Sequence, residues 1–406
     1  MITIEEDRKM SKIIAVNAGS SSLKFKLYEM PEERVVCSGI ADRIGHEDGI
    51  FIIKKGSEKF EKICPLPDHS VAVQMLLDAL IERGIVENLE EIKGIGNRIV
   101  QGGAYFSHSE ELTPDVEAKI ESLIPLAPLH NGAHLICFRA FKKVLPNVRH
   151  VAVFDTAFHQ TMAPEDYMYA CPYEYYTDYK VRRYGAHGTS HLYLSQEAKK
   201  YLEPGKSKII SCHIGSGSSL CAIENGKCVT TSMGLTPLAG VMMGTRTGDI
   251  DPSVMPYIAA QTGKDAAAIY DEFNHRSGLL GISGVSNDTR NIEAAVKEGN
   301  PRAILAAEMF ARKIADYIGQ YFVRLGGCDL ILFSAGIGEN SPYFRKKILE
   351  KCQDALGIRI DEEANAAKVQ GKEGLISSPD SRIRVVVIPT DEEVMIARDI
   401  VSILKL

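Results

Sequence analysis

The sequence lacks several features that would place it in a specialised class of protein. Its nine cysteines contain no Cys-x-x-Cys pair and no regular spacing, which argues against a disulfide framework and indicates reduced thiols. No apolar run approaches the roughly 18 residues needed to span a bilayer. The charged N-terminus has no apolar segment typical of a secretory signal, and the net charge of −6 argues against a general nucleic-acid binder. These absences predict a cytoplasmic protein without membrane or nucleic-acid partners.

The length and composition indicate more than one globular domain. A chain of 406 residues suits two or three domains, because single cores rarely exceed about 250 to 300 residues. Helical spacing of apolar residues predicts helices at 70–83 and at about 301–325. Short apolar or alternating runs predict strands, which lie at 12–17, 23–28, 34–40 and 50–53. Strands and helices mixed in this way predict an α/β architecture with a sheet in each half.

Two stretches share one pattern: an apolar strand, a loop of small polar residues and a returning strand. They are "IIAVNAGSSSLKFKLYE" at 13–29 and "IISCHIGSGSSLCAIENGK" at 209–227, and "SAGIGENS" at 334–341 is a third such loop. Their similarity leaves two readings open, chance or two related domains. The P-loop and G-x-G-x-x-G signatures are absent. Glycine loops whose N–H groups form anion-binding nests nevertheless predict polyphosphate binding.

An arginine in "MGTRTGDIDPS", residues 243–253, is the first candidate for handling a transferred phosphoryl group. Arg246 lies between threonines and glycines, and a guanidinium there could stabilise developing charge on phosphate oxygens. The alternative is that Arg246 pairs with Asp249 or Asp251 and closes the loop on itself. Arg98, after "GIGN", is a second candidate for the same duty.

Two histidine pairs have the i, i+4 spacing that zinc sites use on helices. In "RRYGAHGTSH" the pair is His187 and His191, but the glutamate of H-E-x-x-H is missing and glycines flank His187. We therefore favour a loop histidine that donates to an oxyanion over zinc, with a structural histidine as the alternative. For His130 and His134 in "LHNGAH" the favoured interpretation is a core histidine.

Two acidic residues follow apolar strands. Asp155 ends "HVAVF", and Glu392 in "IPTDEE" begins the last predicted helix. Carboxylates at sheet edges suit an octahedral Mg²⁺, which takes few protein ligands and many phosphate oxygens. A bland alternative is that Asp391 or Glu392 only stabilises the helix N-terminus, and the two roles are compatible.

Taken together, the motifs resemble one known family. "IIAVNAGSSSLK", "RRYGAHGTSH", "MGTRTGDIDP", "SAGIGEN" and "IPTDEE" are similar to the acetate kinase family in order and span nearly the whole chain. The resemblance implies the fold shared with sugar kinases, actin and chaperone ATPases: two duplicated actin-like, ribonuclease H-like domains around a nucleotide cleft. The domains would be 11–157 and 158–392, and the helix 393–406 could pack back on the first. It also implies a homodimer.

The resemblance further implies a role for each matched residue. Asn17 and Glu392 would hold Mg²⁺, with Mn²⁺ as an alternative ion. Asp155, His187 and Arg246 would be catalytic. The acyl substrate would contact Arg98, Val100, Leu129 and Pro237. Contacts with ATP would come from Lys24, His213, Ile214, Gly215, Ser216, Gly217, Asp288, Thr289, Arg290, Gly336, Ile337, Gly338, Glu339 and Asn340. Acetate is already ionised at neutral pH, so we expect Asp155 to organise the metal or the arginine network rather than act as a base.

The implied activity is reversible, Mg²⁺-dependent phosphoryl transfer from ATP to acetate. The sequence departs from the family at Ser216, where an asparagine is usual, and at Ala186, where a phenylalanine is usual. Ala239 replaces a common glutamate, and we assign it no role. A smaller residue at Ala186 predicts a roomier acyl pocket, which keeps a propionate or broader short-chain acyl kinase as the alternative. A remote alternative is a nucleotide-switched binding protein of the actin or chaperone type.

Overall fold

The computed structural model describes residues 10–128 and 130–406. The chain divides into two compact units. The first unit contains the residues up to Ala157 together with Asp391–Leu406, and the second contains Phe158–Thr390. Each unit is built on one mixed β-sheet with helices packed against it. The predicted α/β fold with a sheet in each half is confirmed.

The first unit contains an eight-stranded sheet with the strand order β5-β4-β3-β2-β1-β6-β8-β7. Strands β1 to β5 form an antiparallel meander, whereas β1, β6 and β8 run parallel. Its elements are β1 Ser11–Ala18, β2 Ser22–Met30, β3 Arg34–Asp42, β4 His46–Lys55, β5 Glu58–Leu66, α1 His69–Glu82, β6 Ile92–Ile99, β7 Glu110–Glu111, α2 Pro114–Ser122, α3 Asn131–Val144 and β8 Arg149–Phe154. The four predicted strands are confirmed, and each is longer than its apolar run. Strand β5 was not predicted, because its polar sequence is mostly exposed.

The last helix of the chain, Glu392–Leu404, packs against β6 of the first unit. Two glycines of β6 make this close approach possible. A Cβ at Gly94 would lie 2.6 Å from Ile400 Cγ2, and one at Gly96 would lie 2.3 Å from Ile396 Cγ2. Both separations are shorter than real Cβ contacts, so the glycines of "GIGN" set the distance between helix and sheet. We refer to Glu392–Leu404 below as the C-terminal helix.

The second unit contains a six-stranded sheet with the order β11-β10-β9-β12-β14-β13. Its parallel strands β9, β12 and β14 are apolar and almost wholly buried, as expected for strands covered on both faces. Its elements are α4 Pro164–Tyr167, α5 Tyr173–Thr177, α6 Gly188–Glu197, β9 Lys208–Ile214, β10 Ser218–Glu224, β11 Lys227–Thr231, α7 Val254–Thr262, α8 Ala266–His275, α9 Gly278–Ser283, α10 Thr289–Lys297, α11 Pro301–Arg324, β12 Leu330–Ser334, α12 Ala335–Asn340, α13 Pro342–Glu350, α14 Gln353–Leu356, α15 Glu362–Ala367, β13 Gly374–Leu375 and β14 Arg384–Val387.

Helix α11 provides much of the core of the second unit. Asn300 caps it and Pro301 is its first residue, which is a favourable start for a helix. Its buried residues recur at spacings of three and four, as in Phe310, Ile314 and Ile318. The helix predicted at about 301–325 is therefore confirmed, and its apolar stripe covers β9 and β10.

One predicted loop is wrong. The stretch 334–341 was expected to be an open loop after β12, but Ala335–Asn340 forms the short helix α12. The Glu339 carboxylate accepts a hydrogen bond from the Ala335 N–H at 2.8 Å and so satisfies a donor at the start of the helix. The glycines in this stretch concealed the helix, because glycine has a low helix propensity.

Across 10–128 and 130–406, no helix combines the length and the apolar character that crossing a bilayer requires.

Candidate active site

Three predicted site residues of the first unit lie at one edge of its sheet. Asn17 is near the end of β1, Arg98 is near the end of β6, and Asp155 directly follows β8. These strands are parallel neighbours, so their carboxyl ends meet at the same edge. The local sequence thus brings the three side chains together through strand register alone.

Arg98 is the centre of this group. Its Nε lies 3.0 Å and 3.1 Å from the two Asp155 carboxylate oxygens, and its Nη2 lies 2.5 Å from Oδ2. Its Nη1 donates to Asn17 Oδ1 at 3.1 Å. Burial opposes the charge on Arg98, but Asp155 and Glu392 outweigh it and raise the Arg98 pKa. The Asp155 side chain is only 1% exposed, so this bidentate pair is a fixed feature of the site.

Glu392 completes the group from the start of the C-terminal helix. Its Oε2 is 3.9 Å from Arg98 Nε. Burial raises the pKa of Glu392 to about 7; Arg98 lowers it, while the neighbouring carboxylates of Asp155, Glu393 and Asp391 raise it further. The total negative charge of these carboxylates therefore exceeds the single positive charge that Arg98 supplies. Asp391 caps the helix by accepting from the Val394 N–H at 3.1 Å, so the predicted capping role falls on Asp391.

The hydroxyl-rich turn after β1 is tight. The Gly19 N–H donates to the Ser22 carbonyl at 2.7 Å, and Ser20 and Ser21 are exposed. Nε2 of the buried His69 lies 2.8 Å from the Gly19 carbonyl and fixes the turn from the interior. His69 was missed by the sequence reasoning, because nothing in the sequence near 69 links it to the turn.

The other predicted residues of the first unit have different surroundings. Lys24 is exposed on β2, directly opposite Asn17 in the strand register. Val100 is buried just after β6. Leu129 lies outside the described residues. His134 is buried, and burial together with the charge of Arg98 lowers its pKa to about 3, which confirms a core histidine.

His187 is the central predicted residue of the second unit. It precedes α6 in a left-handed conformation with φ of 60°. Its Nδ1 lies 2.9 Å from the Ser219 hydroxyl on β10, and its ring stacks on His213 with centroids 4.0 Å apart. The His191 Nε2 lies 2.8 Å from the same Ser219 hydroxyl. Ser219 therefore positions both histidines of "HGTSH". In the sequence, the one sign of this role is that Ser219 belongs to the loop motif "GSGSS".

His213 at the end of β9 is held by a chain of hydroxyl groups. Its Nδ1 lies 2.8 Å from the Ser190 hydroxyl, which is 2.7 Å from the Thr390 hydroxyl. The loop between β9 and β10 consists of Gly215–Gly217, and a hydrogen bond from the Gly215 N–H to the Gly217 carbonyl at 3.1 Å closes it. The predicted loop at 213–219 is thus confirmed but is shorter than its sequence indicated.

Arg246 lies beside this glycine loop. A Cβ at Gly217 would be 3.3 Å from Arg246 Nη1 and 3.9 Å from His187 Nε2, so the three residues converge. Nη1 donates to the Pro237 carbonyl at 3.3 Å and contacts the Met243 sulfur at 3.6 Å. Burial lowers the Arg246 pKa.

The alternative in which Arg246 pairs with a neighbouring aspartate is not supported. Asp249 accepts from the Gly240 N–H and from the Tyr317 hydroxyl, and Asp251 accepts from the Ser253 N–H. Within the described residues no carboxylate forms an ion pair with Arg246. Its positive charge is therefore available to an anion.

A pocket of about 540 Å³ in the second unit is lined by seven of the fourteen residues predicted to contact ATP. It is lined by Ser216, Asn287, Asp288, Thr289, Arg290, Glu293, Gly336, Ile337, Asn340 and Ser341. Asn287, Glu293 and Ser341 were not predicted, although Asn287 stands next to Asp288 in the sequence. The other seven predicted residues do not line the pocket: Lys24, His213, Ile214, Gly215, Gly217, Gly338 and Glu339. Of these, the Glu339 carboxylate accepts from the backbone N–H groups of Ala335 and Thr390, and the Gly338 carbonyl accepts from Arg345 at 2.9 Å.

The residue that departs from the family pattern, Ala186, is buried. It packs with Met233 and Met243 in a small apolar cluster of the second unit. Pro237, the predicted acyl contact in this unit, is partly exposed, and its carbonyl accepts from Arg246. Both methionines are flexible side chains that can adapt to neighbours of different size.

Comparison with known proteins gives a consistent result. The family model of the acetokinase family matches residues 12–398. The acetate kinase of Bacillus subtilis (strain 168) is 53% identical over 398 residues, which cover 98% of this chain and 100% of that protein. The crystal structure of Porphyromonas gingivalis acetate kinase has a TM-score of 0.92 at 45% identity and covers 97% of this chain and 100% of that one. A propionate kinase from Francisella tularensis subsp. tularensis SCHU S4 has a TM-score of 0.90 at 40% identity, with 96% and 99% covered.

The fold and the site thus define a small-molecule kinase with two actin-like units. The chain belongs to the acetokinase family. The resemblance inferred from the five motifs is therefore confirmed, and so is the predicted enzyme class, a phosphotransferase with a carboxyl group as acceptor.

Proposed function

We propose that this chain catalyses the reversible, Mg²⁺-dependent transfer of the γ-phosphoryl group of ATP to acetate by direct in-line transfer. An acetate oxygen attacks the γ-phosphorus, the bond to the β–γ bridging oxygen breaks, and ADP leaves with the electron pair. The observation that carries the proposal is Arg246, a largely buried guanidinium without a carboxylate partner among the described residues, beside His187 and the loop Gly215–Gly217. Phosphoryl transfer depends on such charge stabilisation more than on covalent catalysis.

The roles follow from the two arginine environments. Arg246 and His187 would contact the transferred phosphoryl oxygens, and the pocket that contains Ser216 and Asp288–Arg290 would hold the nucleotide. In the first unit Arg98, fixed by Asp155, would orient the carboxylate of acetate. Acetate needs no general base, because a carboxyl group with a pKa of about 4 is already ionised at neutral pH. Asp155 is therefore a positioning residue in this proposal.

The residues at the sheet edge of the first unit fit Mg²⁺. Asn17 and Glu392 offer an amide and a carboxylate oxygen near Asp155, and Mg²⁺ prefers oxygen ligands. Burial and, to a smaller extent, the neighbouring carboxylates raise the pKa of the partly buried Glu392, and a cation bound there would stabilise its charged form. When bound, Mg²⁺ neutralises charge on the phosphate oxygens. Asn17 and Glu392 would hold the ion, and Arg98 would keep Asn17 oriented through its hydrogen bond.

The experiment that tests the proposal measures ADP release with ATP and Mg²⁺ in the presence of acetate, propionate, butyrate or no acid, with phosphorus NMR to detect the acyl phosphate. Fast release that requires a carboxylate and yields acyl phosphate supports a carboxylate kinase. Slow release that is indifferent to every acid would contradict it and favour the nucleotide-switched binding protein. Omitting Mg²⁺ should abolish the release, and activity without any divalent ion would contradict the metal assignment.

A second candidate is a propionate kinase or a short-chain acyl kinase of broader range. Ala186, buried against two adaptable methionines, favours it, and the similar Francisella structure is a propionate kinase. We expect Ala186→Phe to lower kcat/KM for propionate relative to acetate, because one methylene in an apolar pocket is worth about 1 to 3 kcal/mol. An unchanged ratio would show that residue 186 does not limit the acyl pocket. A homodimer stays a prediction from the resemblance, and a cytoplasmic location stays a prediction from the composition of the sequence.

A further inference from the structure

Beneath the histidines of the second unit lies a cluster that the proposed reaction does not use. His159, Cys221 and Cys228 each offer a ligand atom, and these atoms all lie within 4.8 Å of one another. His159 belongs to a short turn at 157–161, Cys221 to β10 and Cys228 to β11. All three side chains are buried, with exposures of 0%, 0% and 1%. No spacing in the sequence indicates the cluster, because strand pairing brings its members together.

His159 is the unusual member. The ring is wholly buried, and the Tyr184 backbone is a hydrogen-bond partner for one of its nitrogens. Within the residues that the structure describes, the other ring nitrogen has no hydrogen-bond partner. Leaving a buried polar group unsatisfied costs about 1 to 3 kcal/mol, so the arrangement calls for a further partner. The chain also makes room for the ring: Gly185 has φ of 77°, and a Cβ there would lie 2.6 Å from His159 Nδ1.

The distances suit one metal ion. The Cys221 and Cys228 sulfurs are 3.4 Å apart. Two thiolates on a tetrahedral Zn²⁺ lie about 3.8 Å apart, and a thiolate and an imidazole nitrogen lie about 3.6 Å apart, given bonds of about 2.3 Å and 2.0 Å. Small rotations of the side chains would therefore bring all three atoms into coordination. Two thiolates neutralise a divalent ion in full, so Zn²⁺ gives a neutral buried centre, whereas Cu⁺ leaves one negative charge there.

We propose that His159, Cys221 and Cys228 form a structural binding site for a thiophilic closed-shell metal ion, Zn²⁺ or Cu⁺. Thiolate and imidazole ligands select these ions over Mg²⁺. Both thiols lose their protons on binding, and His159 coordinates through one neutral ring nitrogen. Trigonal Cu⁺ needs no further ligand, whereas tetrahedral Zn²⁺ takes a water as its fourth ligand. The buried Tyr321 hydroxyl, which has no partner in the described part of the chain, is a candidate to hold that water.

The location gives the metal a role in positioning. The Thr161 hydroxyl donates to the Cys228 carbonyl at 2.6 Å and ties the His159 turn to β11. Cys221 is two residues beyond Ser219 on β10, and Gly185 is two residues before His187. An ion that fixes β10, β11 and the His159 turn would therefore hold the histidines above it in place without contacting substrate.

The test is the metal content of the full-length protein, purified under reducing conditions from cells grown with added zinc, copper or cobalt and washed with a chelator. We expect close to one bound ion per chain, and the zinc and copper cultures show which ion the site takes. Cobalt-grown protein should show thiolate-to-cobalt charge-transfer absorption and the visible bands of a tetrahedral ion. Cys228→Ser and His159→Asn should lose the ion. Cys212→Ser, at an equally buried cysteine of β9, is the matched control and should keep it.

Three results would overturn the proposal. The first is a wild-type protein with no more metal than Cys228→Ser, both as purified and after refolding with excess metal. The second is bound cobalt without thiolate absorption. The third is a disulfide between Cys221 and Cys228 in freshly isolated protein, found by peptide mass mapping without reductant. If Cys228→Ser does not fold, X-ray absorption at the metal edge of the wild-type protein decides, because the site requires sulfur and nitrogen ligands.

Discussion

Arg98 and Arg246 are both withdrawn from solvent, yet their electrostatic surroundings are opposite. In the first unit Arg98 is bound by Asp155 and Asn17 and has Glu392 nearby, so its charge is neutralised inside the protein. In the second unit Arg246 donates to a carbonyl and contacts a thioether, and no carboxylate of the described residues pairs with it. A paired arginine is a rigid part of the fold, whereas an unpaired one stores charge for an incoming anion. In the proposed reaction, Arg98 would therefore orient a substrate from within a fixed ion pair, whereas Arg246 would place an uncompensated charge on the transferred group.

Arg246→Ala should have the largest effect, and on catalysis alone. We expect kcat to fall about 10³-fold or more, as for other arginines that stabilise a transferred phosphoryl group, while thermal stability changes little because no ion pair is lost. The measurement is ADP release with saturating acetate, beside a melting curve. Arg276→Ala, at an exposed arginine of the same unit, is the control. An Arg246→Ala enzyme with the kcat of this control would remove the distinction between the two arginines.

Arg98→Ala should destabilise the protein as well as impair it. The substitution leaves the Asp155 carboxylate, 1% exposed, without its partner, and breaking a buried pair costs about 3 to 5 kcal/mol. Urea unfolding followed by circular dichroism measures this cost, since the chain has no tryptophan. Asp155→Asn in the Arg98→Ala background should restore part of the stability. If that double variant is no more stable than Arg98→Ala, Asp155 does not carry the cost.

Gly96→Ala should lower the stability of the first unit and leave the surroundings of Arg246 unchanged. Its Cβ would lie 2.3 Å from Ile396 Cγ2, and such overpacking costs about 1 to 3 kcal/mol. Ile396→Leu removes that branched methyl and should rescue the variant, as a double-mutant cycle in urea would show. Gly132→Ala, at a helical glycine with open space, is the control and should be neutral or stabilising. Absence of coupling between positions 96 and 396 would contradict the proposed contact.

The smallest effect concerns acid stability, and it compares two buried histidines. Burial lowers the pKa of His150 in the first unit to about 3. Its Nδ1 lies 3.2 Å from the Asn97 amide nitrogen, and among the described residues its Nε2 has no hydrogen-bond partner. In the second unit both nitrogens of His191 are bonded to serines. Because the folded pKa of His150 lies below its unfolded value of about 6.5, the stability is present above pH 6.5 and lost as the pH falls.

His150→Gln should therefore reduce the loss of stability between pH 6.5 and pH 5.5 by about 1 kcal/mol relative to wild type. The measurement is urea unfolding at both pH values, with the difference compared between the two proteins. His275→Gln, at an exposed histidine, should leave the difference unchanged. Identical pH dependence in His150→Gln and wild type would mean that His150 is not held neutral by the fold.

The sequence predicted the parts of the site that lie at strand ends. Asn17, Arg98 and Asp155 each follow a short apolar run, and parallel register then places such residues at one edge. The core assignment of His134 was also predicted. These successes share a cause, since alternating burial and strand ends are local properties of the chain.

What the sequence did not predict depends on contacts between distant segments. Ser219 acts through two histidines about thirty residues away, and His159 meets Cys221 and Cys228 only after three elements have packed. The helix at Ala335–Asn340 was missed because Glu339 stabilises it against the low propensity of its glycines. The periodicity of apolar residues along the sequence gives no information about contacts between side chains that are far apart in the chain.

The C-terminal helix has a consequence for the order in which the molecule is made. Its residues are synthesised after the whole second unit, yet they complete the sheet layer and the carboxylate group of the first. Until the last helix has been synthesised, the face of β6 at Gly94 and Gly96 has no helix packed against it, and Glu392 is absent from the carboxylate group. Contacts between segments so far apart in sequence form slowly. The first unit therefore completes its packing only after residues 392–404 have been synthesised and have docked on β6.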